Sequence, residues 1–388
     1  IPSHGYPQGL FVASVLAFVA GIYSEASRQI PFFPLLISLA VSLVLVPFLI
    51  TKGFLRAAGT ALLVAFLLAG MLRLALVFLD QPPPAIDPGP SLYRGTVAES
   101  SKDVRIIEIE EPPHLSGIRA LIRSDHPSAI GDRVTVLGTL RDIVPTFKNP
   151  HHVSWRWVKK LEGTFCEIRG EIVSAHPGKK LIDGWRRYLA GKVDASGTRH
   201  APVVKALTIG DTASLDDRTK TLFLETGTSH ILSISGSHFA VVAGFFFFIA
   251  RLAFRASSRM RQKGTDRAWA ALLTIPFTIL FMLVSGSSLP TIRATIMIII
   301  YMLALFFERK GHSVNALFLS ALIILVIFPH SLFSPSFQLT FVSVLFIILT
   351  SRAVHSLLAK TGRAVRWLLS LTAVGLAATI GTLPVVLY

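Results

Sequence analysis

Residues 227–242 read GTSHILSISGSHFAVV, and they open an apolar run that continues past residue 250. The run is long enough to cross a hydrocarbon core, which takes about 20 residues. Yet its first residues include Thr228, Ser229, His230, Ser233, Ser235, Gly236, Ser237 and His238. A polar group left unpaired in an apolar interior costs roughly 2–7 kcal/mol. A bilayer-crossing helix that starts this way therefore needs partners or water for those groups.

The rest of the chain supports the membrane reading. Of 388 residues, 52% are hydrophobic and only 15% charged, with a mean hydropathy of +0.61; a soluble domain carries about 25% charged residues. Apolar runs of spanning length are expected near 8–24, 32–50, 56–79, 231–254, 268–286, 290–307, 314–329, 336–351 and 367–388. The first is followed closely by two more and lacks a small-residue cleavage site, so it reads as a span and not as a removable signal. The fold class expected is a polytopic α-helical membrane protein of about nine transmembrane helices, interrupted once.

The interruption, about 80–230, is different material. It holds 21 Lys/Arg against 19 Asp/Glu and alternates apolar with polar residues. RGTVAES, DVRIIEIEE, GIRALIRS, DRVTVLGTLRD and FCEIRGEIVSA read as five short strands separated by turn residues. Five strands in so short a stretch suggest a small barrel, the strand count of the oligonucleotide-binding (OB) fold. The Pro-rich linker QPPPAIDPGP (81–90) marks its entry. After it, LIDGWRRYLAGKVDA (181–195) has helical spacing with apolar and basic residues on opposite faces. Two readings stay open: a helix on the bilayer surface, or one packed beside the barrel. The organisation expected is 1–80 N-terminal membrane helices, 81–180 an OB-like barrel, 181–230 amphipathic and linker helices, and 231–388 a membrane domain.

Charge orients the chain. Lys52 and Arg56, the cluster Arg251, Arg255, Arg259, Arg261, Lys263 and Arg267, the pair Arg309 and Lys310, and the group Arg352, Lys360, Arg363 and Arg366 all fall on one side if nine spans alternate. That side is expected to be the cytoplasm, which puts the barrel outside. The single Cys166 excludes an internal disulfide and reads as a small buried hydrophobe.

The net charge of +16 lies mostly in those loops, but residues 141–205 hold 13 Lys/Arg against 6 Asp/Glu. Within them HHVSWRWVKK interleaves Trp155 and Trp157 with Arg156, Lys159 and Lys160. Aromatic faces among cations are what a single nucleic-acid strand needs, stacking for bases and charge for phosphates. The plain alternative is core Trp with a solvated basic face.

Three readings compete for the opening stretch. His230 and His238 lie two helical turns apart, about 12 Å along an axis, so one ion does not take both; no metal or cofactor is expected. A nucleophilic Ser lacks the G-x-S-x-G elbow and a neighbouring carboxylate; no catalytic residue is expected. The third reading is a helix end facing a polar cavity, with ordinary helix packing as its alternative. Arg293, shortly after Pro290, and Gln338, among Ser334, Ser336 and Thr340, are two further polar clusters in spans. By the parity above, all three lie at the outer ends.

At this point a resemblance enters. ALTIGDTASLDDRTKTLFLETGTSHILSISGSHFAVVAG (206–244) resembles the ComEC family of competence proteins. SLPTIRATIMIIIYMLALFFERKGHSVNALFLSALIILVIFPHSLFSPSFQLTFVSVL (288–345) is similar to its following segments, and KNPHHVSWRWVKKLEG (148–163) to an element of its N-terminal domain. The resemblance implies an inner-membrane channel that carries single-stranded DNA into the cytoplasm during natural transformation, with an external OB-like domain. It implies a lipid bilayer, DNA, a periplasmic DNA-binding protein and a cytoplasmic helicase or translocase as partners. Thr228, Ser229, His230, Ser233, Ser235, Gly236, His238, Arg293 and Gln338 would then line the pore. His151-His152, Ser154-Trp155, Ser237 and Ser336 depart from the family's usual residues. Many members end in a metallo-β-lactamase-like nuclease with an HxHxDH cluster; that motif is absent from this sequence, so no nuclease is expected of it. The sequence stops in an apolar segment, as a piece of a longer bundle is expected to. Two other functional classes remain: a membrane-embedded hydrolase or small-solute transporter with a scaffold barrel, and a binding module on a membrane anchor.

Overall fold

The computed structural model describes residues 8–28, 32–52, 54–80, 89–100, 104–124, 126, 128, 130–142, 164–178, 181–212, 214–226, 228, 234–257, 260, 262, 264–307, 313–357 and 362–387. The elements form two compact units, one of 1–82 with 309–388 and one of 83–308.

The first unit is helical. It contains α1 (Gln8–Arg28), α2 (Phe32–Thr51), α3 (Leu55–Asp80), α10 (Ser313–Ile327), α11 (Pro335–Leu357) and α12 (Arg363–Leu387). Glycines set how closely α1 and α3 approach. A Cβ on Gly21 would sit 2.0 Å from the Leu67 carbonyl oxygen, and one on Gly70 would sit 2.1 Å from that of Phe18. Backbone is thus laid on backbone, as small residues allow between helices in lipid. Arg73 of α3 donates through Nε to the Val326 carbonyl and through Nη2 to that of Ile327, 3.0 Å away. Those are the last residues of α10, where carbonyls lack an intrahelical donor.

The second unit joins the barrel to six helices. The strands are β1 (Ser91–Ser100), β2 (Val104–Glu111), β3 (Arg119–Arg123), β4 (Arg133–Asp142) and β5 (Thr164–His176), all five where the period-two segments place them. They close in the order β1-β2-β3-β5-β4, antiparallel except for β3 with β5. Alternate residues fill the interior, among them Tyr93, Val97, Ile107, Ile109, Ala120, Ile122, Val134, Val136, Leu140, Cys166 and Ile168. Cys166 is 1% exposed, and burial pushes its thiol up to about 12. Gly138 and Gly170 stand opposite each other across β4 and β5; a Cβ on Gly170 would meet the Leu137 carbonyl oxygen at 2.0 Å, so the two backbones approach there more closely than side chains would allow.

The barrel leads into α4 (Leu181–Ala195), α5 (Ala201–Ile209) and α6 (Asp217–Glu225), then into α7 (Gly236–Ala256), α8 (Asp266–Val284) and α9 (Leu289–Phe306). Each expected span coincides with a helix over most of its described residues. Among the described residues, six segments are long and apolar enough to cross a membrane: Pro34–Thr51, Ala57–Leu76, Gly236–Ala256, Asp266–Val284, Leu289–Phe306 and Leu369–Val386. Leu10–Glu25, Ser313–Ile327 and Pro335–Ser351 are apolar but shorter. One boundary needs correction: of the span expected from 231, residues 231–233 lie outside the described residues, Ile234 and Ser235 are not helical, and α7 begins at Gly236. Ser235 is extended, at φ −97° and ψ 169°.

Candidate functional site

The Ser235–His238 stretch is a helix start whose own side chains serve the free backbone donors. The Ser235 N–H donates to His238 Nδ1 at 3.1 Å, and the Ser235 hydroxyl lies 2.9 Å from the same nitrogen. Ser237 Oγ is 2.6 Å from Ser235 Oγ. Because a backbone N–H can only donate, Nδ1 is the acceptor, and the ring proton of the neutral form sits on Nε2. This is the reciprocal arrangement of a capping box, with His in place of the usual Glu or Gln. The opening question has a local answer: several of the polar residues belong to the helix N-terminus.

Just inside this start lies an apolar plug. Ile234 and Phe239, 4% and 0% exposed, cluster with Ala294, Phe281, Met282 and Ile298. The Phe239 and Phe281 rings stand 4.8 Å apart. The amino ends of α7 and α9 and the carboxyl end of α8 therefore meet at one level. Arg293 is buried there, as are Thr291 and Thr295; Thr291 Oγ1 donates to the Ser288 carbonyl at 2.7 Å.

The barrel is seated at that same end. Arg186 of α4 donates through Nε to the Val284 carbonyl at 2.8 Å and through Nη2 to that of Leu283 at 2.7 Å. Burial lowers this guanidinium from its ordinary value, and the nearby Asp183 carboxylate works against that shift. Arg187 Nη2 donates to the Gly178 carbonyl at 2.7 Å. The Gly178 N–H in turn donates to Asp132 at 3.3 Å. A Cβ on Gly131 would fall 2.5 Å from the Asp183 carboxyl carbon, and one on Gly178 2.2 Å from the Gly131 carbonyl oxygen. On the helix side, Gly210 ends α5 at φ +75°, where a Cβ would stand 2.5 Å from the Ser285 carbonyl oxygen. Between these parts is a cavity of about 90 Å³, lined by Ile130, Asp132, Asp183, Arg186, Arg187 and Asp211 with their neighbours. Of the two readings open for 181–195, the contacts show one side of α4 packed between barrel and bundle; they leave its Trp185–Tyr188–Leu189 side exposed.

The other expected site residues fall as follows. Thr228 follows α6, its N–H donating to the Phe223 carbonyl at 2.9 Å and its hydroxyl 2.7 Å from that of Thr226. Gly236 is the first residue of α7, with nothing within 4 Å of a Cβ added there. Ser229, His230 and Ser233 lie outside the described residues. So do Trp155, Arg156, Trp157, Lys159 and Lys160, which occupy the sequence between β4 and β5. Gln338 belongs to the first unit, where Nε2 donates to the Leu332 carbonyl at 2.9 Å. Within the second unit the structure brings Ser235, His238 and Arg293 to one end. Among the described residues no group of three or more His, Cys, Asp or Glu is arranged to hold a metal. Sequence reasoning missed Arg186 and Arg73 as helix-end partners; no periodicity or spacing marks such a contact.

Known proteins were compared with the chain. The family described as "Competence protein" matches over residues 207–388. ComE operon protein 3 of Bacillus subtilis (strain 168) is 30% identical over 187 residues, 48% of this chain and 22% of that protein. An uncharacterized protein of Aquifex aeolicus (strain VF5) is 32% identical over 128 residues, 33% of this chain and 28% of that protein. Competence protein ComA of Neisseria gonorrhoeae is 29% identical over 96 residues, 25% of this chain and 14% of that protein. The matched stretches thus span less than a third of each relative's length. No solved structure matches.

Proposed function

We propose, from the match of residues 207–388 to the family described as "Competence protein", that the chain is a membrane conduit for single-stranded DNA in natural transformation. Family and apolar helices together make it a multi-pass membrane protein with a role in DNA uptake. The finer reading is that the barrel is OB-like, lies outside the cytoplasm and delivers a strand to the polar helix ends.

One observation carries this reading. The barrel and the polar ends of α7 and α9 lie at the same end of one unit, held there by Arg186 on the α8 terminus. A strand leaving the barrel would meet Ser235, His238 and Arg293 next. OB barrels bind oligonucleotides partly through their β4–β5 loop, and here that connection carries Trp155, Arg156, Trp157, Lys159 and Lys160. The β-strand order supports the same picture, as do the basic turns, which would fall on one side if nine spans alternate. A periplasmic DNA-binding protein would hand DNA in, and a cytoplasmic helicase or translocase would draw it through. The Ser235–His238 contact is a helix cap, so passage of DNA requires no covalent step there.

Gly236→Leu tests the conduit cleanly, since the added side chain meets open space and leaves the cap intact. In a deletion strain complemented with the full gene, this variant is expected to reach the membrane in normal amount and to retain surface-bound labelled DNA. Entry of that DNA into the cytoplasm is expected to fall at least tenfold. Normal entry with the variant at full expression would remove this helix end from the path. In the same assay, loss of salt-sensitive DNA retention in Trp155→Ala with Arg156→Ala is the outcome expected for the barrel.

A further inference from the structure

Helix α4 has a second face that the joint leaves uncovered. At 3.6 residues per turn, Asp183, Arg186, Arg187 and Ala190 share the side that lines the barrel–bundle cavity. Trp185, Tyr188, Leu189 and Lys192 share the opposite side. Trp185 and Tyr188 are 56% and 57% exposed, and Leu189 is 36% exposed. Their arrangement is orderly: the Trp185 and Tyr188 rings meet edge to face at 6.2 Å, and Lys192 Nζ stands 5.5 Å over the Tyr188 ring. Asp183 is buried and Arg186 half-buried on the protein side, while Trp185, Tyr188 and Leu189 are exposed on the other; a soluble surface helix turns its large apolar side chains inward instead.

The depth of that face follows from Arg186. α8 has 19 residues, about 28 Å at 1.5 Å per residue, which matches a hydrocarbon core of about 30 Å. Its two ends lie at the two edges of that core. Arg186 is bound to the last two carbonyls of α8, so α4 sits at one edge. A helix with its side chains is about 10–12 Å across, wider than the headgroup layer of about 5–8 Å on each side of the core, so a helix at that edge reaches both headgroups and upper acyl chains. Trp and Tyr with a flanking Lys are the residues that favour that layer, ring in the acyl boundary and polar end among headgroups.

We infer that the Trp185–Tyr188–Leu189–Lys192 face of α4 is a phospholipid-binding surface that rests in the headgroup and upper acyl region of the leaflet on the barrel side. The helix is then held on both faces, by the α8 carbonyls on one and by lipid on the other. It fixes the height of the barrel above the bilayer and leaves the barrel little freedom to rock. This inference rests on α8 crossing a membrane and not on what the protein transports.

The test is depth-resolved fluorescence quenching of the full chain reconstituted in phosphatidylcholine vesicles, compared with Trp185→Phe. Bromines placed high on the acyl chains are expected to remove the share of emission that Trp185→Phe also removes, and bromines placed deep to remove less of it. Iodide in the water is expected to leave that share in place. Quenching of Trp185 by iodide but not by brominated lipid would overturn the inference and leave the face in water. Quenching only on addition of a single-stranded oligonucleotide would overturn it in favour of a nucleic-acid face. Because DNA entry is not measured, failure here leaves the conduit reading standing, and failure of the conduit leaves this surface standing.

Discussion

Arg73 and Arg186 each set Nε and Nη2 on two successive carbonyls at the carboxyl end of an apolar helix, α10 in one unit and α8 in the other. Both answer the same need, since the last carbonyls of a helix have no partner in the helix itself, and a guanidinium fork spans two of them. The surroundings differ. Arg73 arises within α3, a segment of crossing length, whereas Arg186 arises from an amphipathic helix tied to the barrel. In the first case the clamp joins helix to helix; in the second it joins an inserted domain to the bundle. An arginine in or beside a membrane span is thus no pointer to a pore by itself, and Arg293 is to be weighed with that in mind.

The most damaging way to separate the two clamps is to spoil the seat behind only one of them. Gly178→Ala would bring a methyl to 2.2 Å from the Gly131 carbonyl oxygen and 2.8 Å from Asp183 Oδ2. Backbone cannot yield as a flexible side chain does, so a loss of about 3 kcal/mol or more is expected. Limited proteolysis of the purified chain should then release the barrel early while the Arg73 unit stays resistant. Unchanged proteolysis would mean that α4 is not held by these glycines.

Removing the arginines themselves should cost less and unequally. Arg186→Ala is expected to lower stability by about 2–3 kcal/mol, the range for hydrogen bonds from a charged donor. Arg73→Ala is expected to cost about 1 kcal/mol, because deleting a charge from an apolar helix returns part of what its desolvation costs. Denaturation in mixed micelles measures both, and equal losses would show that the surroundings do not matter. Arg186→Lys should recover only part, since an ammonium offers a point in place of a fork.

A further difference between the units appears with pH. The Cys166 thiol is raised to about 12 in the fold, against about 8.5 unfolded. Its contribution to stability is complete below the unfolded value and is lost progressively as pH rises from there toward the folded one. The barrel should therefore melt earlier at about pH 11 than at about pH 8, by a margin that Cys166→Ala reduces. The native thiol should also stay silent to maleimide at neutral pH. That outcome leaves engineered cysteines as the sole reporters in labelling experiments.

Much of this architecture is legible along the chain because it is written in periods. Apolar runs announce the helices, six of which among the described residues are long and apolar enough to cross a membrane, and alternation at Ile107/Ile109, Ala120/Ile122 and Val134/Val136 announces strands with one face inside. What joins those pieces has no period. The parallel β3–β5 pair closes the barrel between residues about 45 apart in sequence, such as Ala120 and Cys166, a pairing set by packing in three dimensions. The seat of α4 depends on Gly131 and Gly178 meeting Asp183, and its clamp on two carbonyls nearly a hundred residues away. In the candidate site, the polar character of Ser235 and His238 is plain from the sequence. Their mutual capping is not, because His seldom takes the place of Glu or Gln in that motif.

The clamp on α8 has an electrostatic consequence. Aligned peptide dipoles leave about half a positive charge at a helix amino end and half a negative one at its carboxyl end. At the barrel end of the second unit, α7 and α9 present amino ends, and α8 alone among the three presents a carboxyl end. The Arg186 guanidinium lies on that one negative pole. The three backbone ends together leave about half a positive charge there, and Arg186, whose charge the neighbouring Asp183 opposes, covers the one negative pole. Attraction for an anion at this end depends first on the direction in which the chain runs. Neutral replacements at Ser235 or His238 would leave it in place, whereas Arg186→Ala would uncover the negative pole.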